Sequence, residues 1–225
     1  DAASRIERLQ VAGVEGDFNA TGGGIYARGG VYLGHAEVSG NAAVASGAAQ
    51  LSGFGVGGGV FTLGRGVFKY STIEGNVAAG AGDVAKGQAG GAWVFGGGGL
   101  VRSTIAGNTA GSCGGLLMMD AIYGDMIDIA SSTISGNVAN ASHIGAGLYV
   151  GMTSELVVRN STITANSAQD AGTGGGGIFV RNVVNGVPLG PAVRVLSSIV
   201  GANTSPHPAA DIGSPLSLVL EGDHA

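Results

Sequence analysis

The sequence predicts an all-β fold, a parallel β-helix of about six coils with three short strands each, and three observations carry that expectation. An eight-residue phrase recurs as "STIEGNVA" (71–78), "STIAGNTA" (103–110), "STISGNVA" (132–139) and "STITANSA" (161–168). The asparagines that close it, Asn41, Asn76, Asn108, Asn137, Asn166 and Asn203, stand 35, 32, 29, 29 and 37 residues apart, with Asn19 as a candidate earlier member. Such intervals are too irregular for a coiled coil and too short for separate domains. Inside every interval a glycine cluster runs into β-favouring residues, from "GGGIY" at 22 to "GGGIF" at 175, and a third apolar stretch follows, such as "ELVVRN" (155–160).

Composition agrees with a folded chain. Of 225 residues 44% are apolar, and the 46 glycines keep no period of three and accompany only five prolines, which argues against collagen and against disorder. Ten lysines and arginines, scattered along a chain of net charge -5, argue against a nucleic-acid partner, whose phosphates need clustered cations. Cys113 is the single cysteine, so no disulfide closes within the chain. No apolar run is long enough for a transmembrane helix. The sequence reads as one domain over 1–225 and as an excerpt of a longer surface protein.

Alternation assigns the faces. In the "STI" strand Ile73, Ile105, Ile134 and Ile163, with Val38 and Ile199, are expected inward, the preceding serines inward near a corner, and Thr72, Thr104, Thr133 and Thr162 outward as a column. The glycine before Asn41, Asn76, Asn108 and Asn137 permits a left-handed turn. The asparagine, turned inward, can bond the backbone and its counterpart one coil away. Construction alone therefore accounts for the repeat. In the glycine-led strand, Ile25, Val60, Ala92, Leu116, Leu148 and Ile178 are the inward column, and so are the residues two positions on.

The pairing of "GGGIY" or "GGGIF" with "IxGN" resembles the right-handed parallel β-helix repeats of bacterial surface proteins, similar to chlamydial polymorphic outer-membrane proteins and autotransporter passengers, from about Leu9 to Gly213. The resemblance implies a right-handed coil, an extracellular or cell-surface location and adhesion, and the residues themselves point to no cofactor and no metal. "SSIVGANT" departs from the repeat by one extra residue between Ile199 and Asn203, which predicts a bulge. At the ends, Ser4 and Glu7 stand at capping-box spacing, so residues 1–10 are either a short covering helix or a strand of an earlier coil. Residues 204–225 are either a cap or a terminal coil. Open strand edges at the ends would favour end-to-end or side-by-side self-association.

Three places could carry function. Between the inward columns of the glycine-led strand lie Tyr26, Phe61, Trp93, Leu117, Tyr149 and Phe179, five rings at an outward position. An exposed ladder of this kind would bind a glycan or a host or cell-surface protein. Loops folded over the rings, or reversed faces, would bury it. The threonine column suggests an ice-binding array, but its partner column reads Glu74, Ala106, Ser135 and Thr164, so only one coil supplies two threonines. Asp120, Asp125 and Asp128 form the acidic cluster that a polysaccharide lyase or hydrolase of pectate-lyase-like fold would use, the carboxylates binding calcium or acting as acid and base. Lys69, Arg102 and Arg159 are its candidate basic neighbours, with Arg102 one residue out of phase. Dinucleotide and P-loop signatures are absent, and the four histidines have no metal-like spacing.

Overall fold

A computed structural model of the chain describes residues 4–7, 10–12, 20–45, 53–80, 86–119, 126–141, 145–151, 155–169, 175–181, 183–184, 187–188, 192–206, 210–213 and 220–223. Among these the chain winds as a β-solenoid of stacked parallel sheets without an α-helix. The isoleucine sheet runs Ser4–Glu7, Ala36–Ser39, Thr72–Glu74, Thr104–Ala106, Thr133–Ser135, Thr162–Thr164 and Ile199–Gly201. The glycine-led sheet runs Ile25–Ala27, Val60–Thr62, Ala92–Val94, Leu116–Met119, Leu148–Gly151, Ile178–Arg181 and Ile212–Gly213. The third sheet joins Val31–Gly34, Gly66–Lys69, Gly98–Val101, Met126–Ala130, Glu155–Arg159, Ala192–Leu196 and Leu220–Asp223. The six asparagine rungs from Asn41 to Asn203 mark five complete turns.

The expected three strands per coil gain a fourth. Segments following the asparagine, including Ala42–Val44, Val77–Ala79 and Val138–Ala139, pair in parallel as a sheet of their own. At two or three residues each they are too short to stand out from a turn. A fifth, three-stranded sheet of Ala20–Thr21, Gly55–Val56 and Gly87–Gln88 lines the first coils. The sole antiparallel ladder among the described residues joins Val183–Val184 to Val187–Pro188.

Register follows the repeat. Ile73 pairs with Ile105, Ile105 with Ile134 and Ile134 with Ile163, all fully buried with Phe68, Leu100, Ile129, Leu116 and Leu148 in one continuous core. Burying each such side chain contributes roughly 1.5–3 kcal/mol. Ile199 is a correction. It pairs with Thr162 and is 65% exposed, while Val200 takes the inward place beside Ile163. The last coil therefore keeps the three-residue step to Asn203, and no extra residue needs a bulge.

Two polar ladders close the corners. Each asparagine from Asn41 to Asn166 donates from its backbone N–H and its Nδ2 to the Oδ1 of the next, at 2.9–3.1 Å. The second Nδ2 hydrogen goes to a carbonyl of the isoleucine strand, as from Asn108 to Ile73 at 3.1 Å. The ladder ends on Asp211, whose carboxylate accepts from the Asn203 backbone N–H and Nδ2 at 3.1 and 3.0 Å. A carboxylate accepts without donating, which suits a last rung. The glycine clusters make room for this ladder: a Cβ at Gly91 would stand 3.0 Å from Asn108 Nδ2 and 2.6 Å from the Gly115 carbonyl. The two sequence signatures are thus halves of one device.

The serines, expected merely to be small, form the second ladder. Ser71, Ser103, Ser132 and Ser161 each donate a backbone N–H to the Oγ of the next serine, at 3.0–3.1 Å, and the last acceptor is Ser198. Each Oγ donates to the carbonyl two residues earlier. The intervening residues, Tyr70, Arg102, Ser131, Asn160 and Ser197, with His35 before them, all have φ between 45° and 53°. This left-handed corner throws their side chains out to solvent. Both ends carry strands: Ser4–Glu7 pairs with Ala36–Ser39 instead of forming a covering helix, and Leu220–Asp223 extends the third sheet.

Candidate functional site

The aromatic column has the predicted register: Tyr26 opposite Phe61, Phe61 opposite Trp93, Leu117 opposite Tyr149, Tyr149 opposite Phe179. Its exposure differs from expectation. Tyr26 is 48% exposed and Trp93 half-buried, whereas Phe61, Leu117, Tyr149 and Phe179 are buried. Strand parity sets the direction of a side chain but not what lies over it. Leu117, Tyr149 and Phe179 pack with Ala89 and Cys113, and Trp93 and Met119 flank them, as a second apolar cluster outside the main core. The contiguous exposed ladder is therefore corrected: Tyr149 and Phe179 are packing residues.

Burial leaves electrostatic marks on this cluster. It pushes the Cys113 thiol up to about 12, although backbone hydrogen bonds to Tyr149 and Gly115 act the other way. It also raises the Tyr149 phenol, partly offset by a hydrogen bond from the Arg181 side chain. A thiol held neutral in an apolar pocket is not a nucleophile.

Where the column opens, a cleft of about 310 Å³ forms, lined by Thr21, Phe54, Val56, Phe61, Gln88, Trp93 and Phe95. Trp93 stacks on Phe95 at 5.7 Å and 8°, and meets Phe61 in a tilted pair at 6.0 Å. Tyr26 continues the row, stacked on Phe61 at 5.6 Å. The lining carries no charge. Thr21 and Gln88 provide polar edges, and Trp93 Nε1 is buried without a hydrogen-bond partner among the described residues. Apolar walls with a few polar groups suit a small uncharged ligand or a flat segment of a larger one. Sequence reasoning found Phe61 and Trp93 but missed Phe54, Phe95, Thr21 and Gln88. Phe95 was legible, since it follows Trp93 by two and shares its outward parity.

The acidic cluster comes together only in part. Asp120 and Asp125, with Tyr123, lie outside the described residues. Asp128 faces outward and is held by Arg159 in a two-pronged pair, Nε to Oδ1 at 3.0 Å and Nη2 to Oδ2 at 2.7 Å. The pairing also raises the Arg159 pKa above its ordinary value. With both oxygens engaged, Asp128 is poorly placed to take a proton. Beside it Arg194 lies 3.7 Å from Glu155. Lys69 and Arg159 share a column but are separated by Val101 and Ala130, and Arg102 occupies the left-handed corner instead. Among the described residues no three histidines, cysteines or carboxylates gather as a metal site.

The threonine column pairs in register and is half-exposed, but Glu37 and Ile199 occupy its place at the two ends. No family model, curated protein or solved structure matches the chain.

Proposed function

We propose that the chain is a non-enzymatic module of an extracellular or cell-surface bacterial protein, of the adhesin or autotransporter-passenger kind. It acts as a rigid stalk that binds a glycan or a partner protein through the cleft at Phe61, Trp93 and Phe95. The observation that carries this reading is the cleft itself: a half-open row of rings on a solenoid whose main apolar clusters, among the described residues, are buried. Flat apolar faces beside isolated polar groups are what a neutral sugar ring or an aromatic side chain requires. The pairing of Asp128 with Arg159 weighs against polysaccharide cleavage.

Trp93 is the only tryptophan, so its fluorescence reports on the cleft alone. Glycan-array screening followed by titration of the best-bound oligosaccharide should give a saturable change in that emission, without release of reducing or unsaturated ends. Phe61→Ala should weaken binding about tenfold or more, the loss expected of a buried aromatic anchor. Product release from the bound glycan, or an emission that no array ligand alters, would overturn the reading.

A further inference from the structure

Five cations among the described residues have side-chain partners, and these are of two kinds. Arg159 and Arg194 meet carboxylates, and Arg181 serves the Tyr149 hydroxyl. Lys69 and Arg102 stand over tyrosine rings instead. Lys69 Nζ lies 6.0 Å from the centre of the Tyr32 ring, and the Arg102 guanidinium carbon lies 5.6 Å from that of Tyr70. Arg102 Nη1 also donates to the Tyr70 hydroxyl at 3.2 Å. Neither cation has a carboxylate within ion-pair distance among the described residues.

The fold brings these groups together. Left-handed corners stack at the rung spacing of about 4.8 Å, so outward residues there lie directly over one another. In rung order they read His35, Tyr70 and Arg102, with His35 stacked on Tyr70 at 4.8 Å and 6°. Tyr32 lies over Gly34, whose absent side chain lets the ring lean toward the corner, and Gly34 pairs with Lys69. Tyr32 is 65% exposed and Tyr70 47%, two of the most exposed large rings described. The patch ends at Arg102, because the next corner residues are Ser131 and Asn160. Glu37, which accepts a hydrogen bond from Ser39, and Glu74 lie on the adjoining sheet and bound it on that side.

Two cations without a carboxylate, each beside an exposed ring and brought to one corner of an acidic chain, present charge and flat apolar faces to something outside it. We infer that this corner binds an acidic polysaccharide. Carboxylate or sulfate groups pair with Lys69 and Arg102 while flat sugar faces stack on Tyr32 and Tyr70. The site is separate from the aromatic cleft and does not rest on the reading given to it.

Calorimetric titration with polygalacturonate, heparin and dextran tests the inference. In the Trp93→Ala variant, which lacks the cleft's central ring, polygalacturonate, heparin or both should bind, more weakly as salt rises, and dextran should not. Polygalacturonate alone would mark a carboxylate site and heparin alone a sulfate site. Lys69→Gln and Arg102→Asn should each weaken binding about two- to fivefold, and the double variant more. Asparagine suits the left-handed φ at position 102, and an unchanged thermal melt would exclude misfolding. Trp93→Ala should leave this binding intact. The inference fails if neither anionic polymer binds, if dextran binds equally, or if the double variant binds as well as the original chain.

Discussion

Tyr26 and Tyr149 occupy equivalent positions on two strands of one sheet, four rungs apart in one parallel column, yet the first is 48% exposed and the second 3%. The repeat dictates both directions equally. The difference lies in the layer above. In the later coils Cys113, Leu117 and Phe179 close over Tyr149, and Arg181 engages its hydroxyl. In the earlier coils the column faces the cleft, and the corner beside it carries Tyr32 and Tyr70. A solenoid built of near-identical coils can therefore devote one part to packing and another to contact, using substitutions that leave the backbone register untouched.

Substitution should separate the two parts sharply. Tyr149→Ala is expected to cost about 3–5 kcal/mol, the usual range for an excavated buried aromatic, measured by chemical denaturation. An equal loss from Tyr26→Ala would erase the distinction between the coils.

Cys113 should give an intermediate, pH-dependent effect. Its folded pKa, about 12, lies above the ordinary 9.0. The unfolded chain then releases its proton first, and the stabilisation, complete below pH 9, is lost as pH rises toward 12. Denaturation of the original chain and of Cys113→Ala across that window should show a difference that shrinks with rising pH. A constant difference would mean that the thiol is not sealed under Tyr149. The smallest effect belongs to Tyr26→Ala, expected at under about 1 kcal/mol because its ring keeps much of its contact with water.

The ladders show what a sequence can reveal. A polar residue recurring beside a buried strand must find partners, and the next copy of itself is the only one supplied at every coil, so Asn76 through Asn166 were legible. The serine ladder obeys the same logic and was overlooked because a serine at a corner needs no explanation. Ile199 was misplaced because matching letters in "SSI" outweighed the fixed three-residue step back from Asn203. The cleft and the cationic corner were least legible. Gln88 belongs to a sheet too short to announce itself and Phe54 directly precedes one of its strands, and Tyr70 and Arg102 sit at left-handed corners where strand alternation does not apply. Exposure along the aromatic column depends on neighbours distant in sequence, which periodicity does not encode.

Every contact surface described above depends on coils stacked in register, and methyl-to-methyl nuclear Overhauser contacts among labelled isoleucines report that stacking directly. The account predicts an unbroken walk from Ile73 to Ile105, Ile105 to Ile134 and Ile134 to Ile163, with no contact from Ile73 to Ile163. A missing step in that walk, or a direct contact between its first and last members, would contradict it.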